Sequence, residues 1–240
     1  MTTRLDNLLV GAIAPVNRNG LLTGIDKRPT GRKLWLSSIG LEGDAQADLK
    51  RHGGPEKAVH HYPRDHYDLW TKELGPSEVL GQAGAFGENF STRGLDETTV
   101  AIGDVFRVGG AILEVSQGRQ PCHKLNVRFR VSDMALRVQR SGRTGWYYRV
   151  REEGYVAPGD EMILIERQAP RWTLQRLWRV LYIDTLDMDE LTAMSALALL
   201  PESWRRYAVR RLETRQVENW STRLWGIETE RPATPSVRLG

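Results

Sequence analysis

Val105-Phe106-Arg107-Val108-Gly109-Gly110-Ala111-Ile112-Leu113-Glu114-Val115 is the stretch on which the fold turns. Branched and aromatic residues flank a Gly-Gly pair, and such a pair permits the positive φ angles of a two-residue hairpin loop. The pattern predicts strands over 100–108 and 111–116. Working outward, 8–13, 34–39, 146–150 and 161–166 have the same texture. Short strands parted by Gly turns predict a mainly β, barrel-like domain rather than alternating βαβ units.

Two helices interrupt the strands. Pro63 opens one through His66, Tyr67 and Trp70, closed by Gly75-Pro76. Ser132 is the expected cap of another, with Met134, Leu136 and Val138 before Gly142. At Ala169-Pro170 the texture changes. Five of the eight tryptophans (Trp172, Trp178, Trp204, Trp220 and Trp225) follow this point. Three helices are predicted there, begun by Thr173, Asp187 and Pro201 and carrying Leu174, Leu177 and Trp178, then Leu191 and Met194, then Trp204, Tyr207 and Ala208. The predicted organisation is a β domain over 1–168, a three-helix domain over 171–226 and a flexible tail over 227–240.

The chain has 240 residues, 40% hydrophobic and 27% charged, with a formal net charge of +4. That balance suits a packed core. No apolar run reaches the roughly 18 residues of a membrane span. The N-terminus has no secretory layout, since Arg4, Asp6 and Asn7 come early. A cytoplasmic protein is expected. The basic residues are interspersed with acidic ones, so nucleic acid is not the expected partner. The arginines of the third C-terminal helix, Arg205, Arg206, Arg210, Arg211 and Arg215, read as a solvated face.

Cys122 is the only cysteine. It can form neither an internal disulfide nor a cysteine-rich zinc or iron–sulfur site. Its surroundings, Gly118-Arg119-Gln120-Pro121-Cys122-His123-Lys124, leave a strand through a turn. With Arg128 they put cationic groups around the thiol, which favours the thiolate. A thiolate is a nucleophile or a soft metal ligand. From these residues alone, a Cys–His hydrolase stays open. Upstream, His52-Gly53-Gly54 and Phe86-Gly87-Glu88-Asn89 combine glycines, which let backbone approach a ligand, with polar side chains. His60 and His61 are adjacent on a predicted strand and face opposite ways, so they cannot share one zinc ion. No Gly-x-Gly-x-x-Gly follows a strand, which removes the usual flavin or nicotinamide fingerprint.

Taken together, Gly40-Leu41-Glu42-Gly43-Asp44, His52-Gly53-Gly54, Phe86-Gly87-Glu88-Asn89, Gly103-Asp104 and Arg119-Gln120-Pro121-Cys122 resemble the MOSC domain in identity and order. The resemblance, to the bacterial YiiM type with its three-helix region, covers nearly the whole chain. It implies a domain that binds the molybdenum cofactor, a molybdopterin, with Cys122 on the molybdenum ligand. It also implies a pyridoxal phosphate-independent oxidoreductase that detoxifies N-hydroxylated compounds, such as hydroxylaminopurine bases, hydroxylamines or amidoximes. His52, Gly53, Gly54, Phe86, Gly87, Asn89, Arg119 and Lys124 are then candidates for cofactor binding, and His123 and Glu88 for proton relay. Electrons are expected from a separate flavin or iron–sulfur protein. The alternative is a cofactor carrier or sulfur-transfer protein without an external substrate. The helical region is expected to stand apart from the cofactor cradle.

Overall fold

The computed structural model describes residues 1–16, 20–47 and 53–226. His52 and the tail over 227–240 therefore lie outside the described residues. The first strands are β1 (Thr2–Arg4), β2 (Asn7–Val10), β3 (Ala14–Pro15), β4 (Leu22–Thr23), β5 (Arg28–Thr30), β6 (Leu34–Ser37) and β7 (Gly40–Leu41). After a short 3-10 turn at Pro55–Lys57 come β8 (Val59–His61), α1 (Asp65–Leu74), β9 (Phe90–Ser91), β10 (Asp104–Val108) and β11 (Ala111–Gly118). Then follow α2 (Lys124–Phe129), α3 (Met134–Ser141), β12 (Trp146–Glu152), β13 (Gly154–Val156) and β14 (Glu161–Arg167). The C-terminal region holds α4 (Leu174–Tyr182), α5 (Met188–Ser195), α6 (Glu202–Thr214) and α7 (Ser221–Trp225).

Nine strands form one sheet in the order β1-β14-β10-β11-β12-β8-β9-β2-β5, curled into a half-barrel. The central hairpin closes as its sequence predicts: Val108 pairs with Ala111 and Phe106 with Leu113 around Gly109-Gly110. Register shifts between β11 and β12 at Ile112/Leu113 and Val115/Gln117 bend the sheet, because each bulge adds local twist. The mainly β reading is thus correct. β10 starts later than expected, however. Gly103 has φ 79, and the Asp104 carboxylate accepts from the Ala101 N–H at 2.9 Å, so 101–104 is a turn. Buried Asp104 is also gripped by Arg167 Nε at 2.8 Å and Nη2 at 2.6 Å.

Thr173 and Asp187 cap α4 and α5 through side-chain oxygens as expected. Asp133 rather than Ser132 precedes α3. Two helices were not foreseen, α2 and α7; the predicted C-terminal trio is followed by this fourth, short helix. One apolar core joins Leu8, Phe106, Leu113 and Tyr148 of the sheet to Leu177, Val180, Leu191, Met194 and Trp204 of the helices. A second cluster gathers Tyr62, Tyr67, Trp70, Phe86, Leu125, Phe129 and Met134, and it walls the site described next.

Candidate functional site

β8 brings two histidines to opposite faces. His61 faces inward, its ring between the hydroxyls of Tyr148 at 3.0 Å and Thr92 at 2.9 Å and stacked on Trp146 with centroids 4.3 Å apart. Burial pushes its pKa down to about 3. His60 faces a cleft, beside Tyr147 with centroids 5.0 Å apart. Burial first, and the Arg119 guanidinium second, hold it well below the usual imidazole range, so it stands there as neutral imidazole.

The cleft takes residues from six separate stretches of chain, among them Gln46 with Ala47 and Lys57 with His60. Thr23, Gly24, Ile25 and Lys27 come from the first, Phe86, Gly87 and Asn89 from another. Arg119, Cys122 and Lys124 come from the turn after β11, and Tyr147 from β12. The segment holding Phe86 is fixed by Glu88. This wholly buried carboxylate accepts from the N–H groups of Gly84 at 2.7 Å and Phe86 at 3.0 Å, and from the Tyr67 hydroxyl. Arg128 ties the same segment from outside, donating to the carbonyls of Ala85 at 2.8 Å and Gly84 at 2.9 Å. Gly87 adopts φ 76, and a Cβ there would meet Ile25 Cγ1 at 2.8 Å. A side chain at this position would fill the place where backbone now meets the cleft.

Asn89 is engaged on every polar atom: its Oδ1 accepts from the His60 N–H at 3.1 Å, and its Nδ2 donates to Leu9 O at 3.2 Å and Asp44 Oδ2 at 2.9 Å. Asp44 is ion-paired with buried Lys27 and also accepts from the Gly11 N–H at 2.9 Å. Burial lowers the pKa of Lys27, and Asp44 works against that shift. Arg119 differs from these. It is 7% exposed, and its Nη2 donates to Phe86 O at 3.3 Å. Its Nη1 is buried with no hydrogen-bond partner. A guanidinium N–H in that condition calls for an anion or a carbonyl, since a buried unmet donor is costly.

Of the predicted residues, Cys122, Arg119, Lys124, Phe86, Gly87 and Asn89 meet on this cleft. Glu88 and His123 are not on its lining. Glu88 has three donors on its carboxylate and clamps the Gly84–Phe86 backbone. His123 precedes α2 and donates its N–H to Arg223 O at 2.8 Å. Arg128 is likewise taken up by the Ala85 and Gly84 carbonyls and by the Asp26 carboxylate at 3.0 Å. Gly54, with φ 91, starts the 3-10 turn and lines a neighbouring cleft with Trp35, Ile39 and Gln46; Gly53 lines neither cleft. Sequence reasoning missed Lys27, Lys57 and Tyr147 on the wall, and gave no site role to His60.

A family model of the MOSC domain matches residues 48–163, and one of the YiiM-like, 3-alpha helix domain matches 172–215. Protein YiiM of Escherichia coli (strain K12) is 41% identical over 207 residues, which is 86% of this chain and 92% of that protein. The chain belongs to the YiiM-type MOSC family. The crystal structure of YiiM from Escherichia coli superposes with a TM-score of 0.79 at 36% identity, covering 94% of this chain and all (100%) of that one. A protein named "Reductase" from Gibberella moniliformis (strain M3125 / FGSC 7600) is 36% identical over 180 residues, 75% of this chain but 32% of its own length. MOSC domains are associated with the molybdenum cofactor.

This MOSC cleft suits such a group on three counts. It has one soft donor in Cys122, an unmet N–H on Arg119, and Lys27, Lys57, Arg119 and Lys124 as cations on its wall. Among the described residues no cluster of His, Cys, Asp and Glu can hold a metal ion unaided. Among the described residues, no helix is long and apolar enough to cross a membrane.

Proposed function

We propose that this chain is a molybdenum cofactor-dependent reductase that converts N-hydroxylated compounds to amines, in the cytoplasm, with electrons from a separate flavin or iron–sulfur protein. The cofactor-binding domain would span 1–168 and the helical domain 171–226. The observation that carries the reading is the pairing, on one cleft, of the Cys122 thiol with the unmet Arg119 N–H. The YiiM-type membership and the reductase-named relative support it.

Cys122 would be a ligand, because a thiolate is a soft donor suited to a transition metal. Arg119 would bind the pterin phosphate or a ring carbonyl through Nη1, with Lys124 and Lys57 adding positive charge. Gly87 gives the pterin room to lie against backbone. Asn89 holds β8 and Asp44 in register so that His60 and Lys27 keep their places. When bound, the cofactor supplies the two-electron change that N–O cleavage needs. Reduction of R–NHOH to R–NH2 and water also takes up two protons, and the wall groups able to carry them are the Lys27 ammonium and the Tyr147 hydroxyl. Burial keeps that hydroxyl protonated by raising its pKa.

The test is turnover of a hydroxylamino purine with a chemical electron donor, on protein from a host able to make the cofactor. Amine formation that disappears in Cys122→Ser is the expected result. Bound cofactor without amine formation would favour the carrier or sulfur-transfer role instead.

A further inference from the structure

Cys122 lies between two peptide groups, and both are bonded to one distant residue. On its N-terminal side the Pro121 carbonyl accepts from Arg223 Nη1. On its C-terminal side the His123 N–H donates to the Arg223 carbonyl at 2.8 Å. Arg223 sits in α7, and its Nη2 donates to Gln139 Oε1 of α3. Its guanidinium lies over the Trp220 ring, 4.8 Å from the centroid. A parallel bond joins Asn126 Nδ2 to Leu224 O at 2.8 Å.

We propose that Arg223 is the positioning residue of Cys122. One side-chain bond and one main-chain bond fix the turn that presents the thiol, so α7 completes the site without lining the cleft. The planar fork is what allows Pro121 and Gln139 to be held together; a lysine ammonium has no such fixed geometry. The Arg223 Nε is buried without a partner, a cost that a residue merely fastening a surface helix would avoid by staying in water. The inference rests on the reading of Cys122 as the functional thiol.

The experiment measures alkylation of Cys122 by iodoacetamide, followed by mass spectrometry at one fixed pH on the full-length, cofactor-free protein. Arg223→Ala should react at least about tenfold faster than the unchanged chain, because the turn opens more often once its charged hydrogen bond is gone. Arg223→Lys, which keeps a donor for Pro121 but loses the fork to Gln139, should restore only part of the slow rate and fall between the unchanged chain and Arg223→Ala. Leu191→Ala serves as control: it removes packing from the helical core and should leave the rate within about twofold even at a larger loss of stability. An unchanged rate in Arg223→Ala overturns the proposal, as does an equal acceleration in Leu191→Ala. If Arg223→Ala does not fold, Gln139→Leu replaces it; acceleration supports the proposal and an unchanged rate overturns it. These rates need no cofactor. Failure of the molybdenum reading, seen as unchanged molybdenum in Cys122→Ser, is therefore distinguishable from failure of this one.

Discussion

Lys27 and Asp44 form an ion pair in the cleft wall with both side chains almost wholly buried, at 5% and 2% exposure. Asp44 also takes bonds from the Gly11 N–H and Asn89. The pair thereby links the loop after β4 to the loop after β7, and Asp44 carries the link on to Asn89 just before β9.

Breaking that pair from one side leaves an uncompensated charge. Asp44→Asn should lower unfolding stability by about 3 kcal/mol, read by urea denaturation. The double variant Lys27→Met, Asp44→Asn should recover part of the loss, since it removes the unpaired ammonium while the amide oxygen at 44 can still accept from the Gly11 N–H. A single variant as stable as the unchanged protein would show that the pair is not desolvated in solution.

Arg119 should behave in the opposite way. Arg119→Met removes a buried donor that the protein itself does not satisfy. The cofactor-free variant should melt at or above the temperature of the unchanged protein, while its affinity for the cofactor falls about tenfold or more. Retained cofactor would mean that Nη1 does not face the bound anion.

Cutting the chain after Gln168 should not leave a folded β domain. The sheet and α4 to α6 share one core, so truncation bares apolar surface, and it also removes Arg223. Soluble yield and near-ultraviolet circular dichroism check this. A folded truncated chain with full cofactor would restore the simpler expectation that the helices stand apart from the site.

Acid should weaken the fold in a definite window. His61 has a pKa of about 3 in the folded chain, against 6.5 for an ordinary histidine. Between those values the unfolded chain binds the extra proton, so stability is present above pH 6.5 and is lost as pH falls toward 3. His60 shifts in the same direction. His61→Gln should make the dependence of unfolding free energy on pH shallower in this window. An unaltered slope would contradict the buried neutral placement.

Much of the fold was legible because its signals are local. Gly109-Gly110 fixes the hairpin, and Thr173 and Asp187 mark helix starts through their own oxygens. The six-residue α2 and the five-residue α7 were not legible, since neither spans enough turns to show a periodic apolar face. The site divides along the same line. Cys122, Arg119 and Gly87 stand in short, unusual local sequences. Lys27 stands in none; its part in the wall exists only because the fold sets it against Asp44. Glu88 is a related case. A carboxylate beside a glycine looks reactive in sequence, and only the three-dimensional arrangement reveals the donors that occupy it. Arg223 is a further case, lying 102 positions from the carbonyl it holds.

We infer that the Cys122 cleft holds a molybdenum cofactor. Elemental analysis tests it most directly, applied to the unchanged protein and to Cys122→Ser, both purified from a host able to make the cofactor and both checked for folding by circular dichroism. About one molybdenum atom per chain is expected in the unchanged protein and little in the folded variant, because a hydroxyl is a harder and far less acidic donor than a thiol. Unchanged protein free of molybdenum, or a serine variant carrying the full amount, would contradict it.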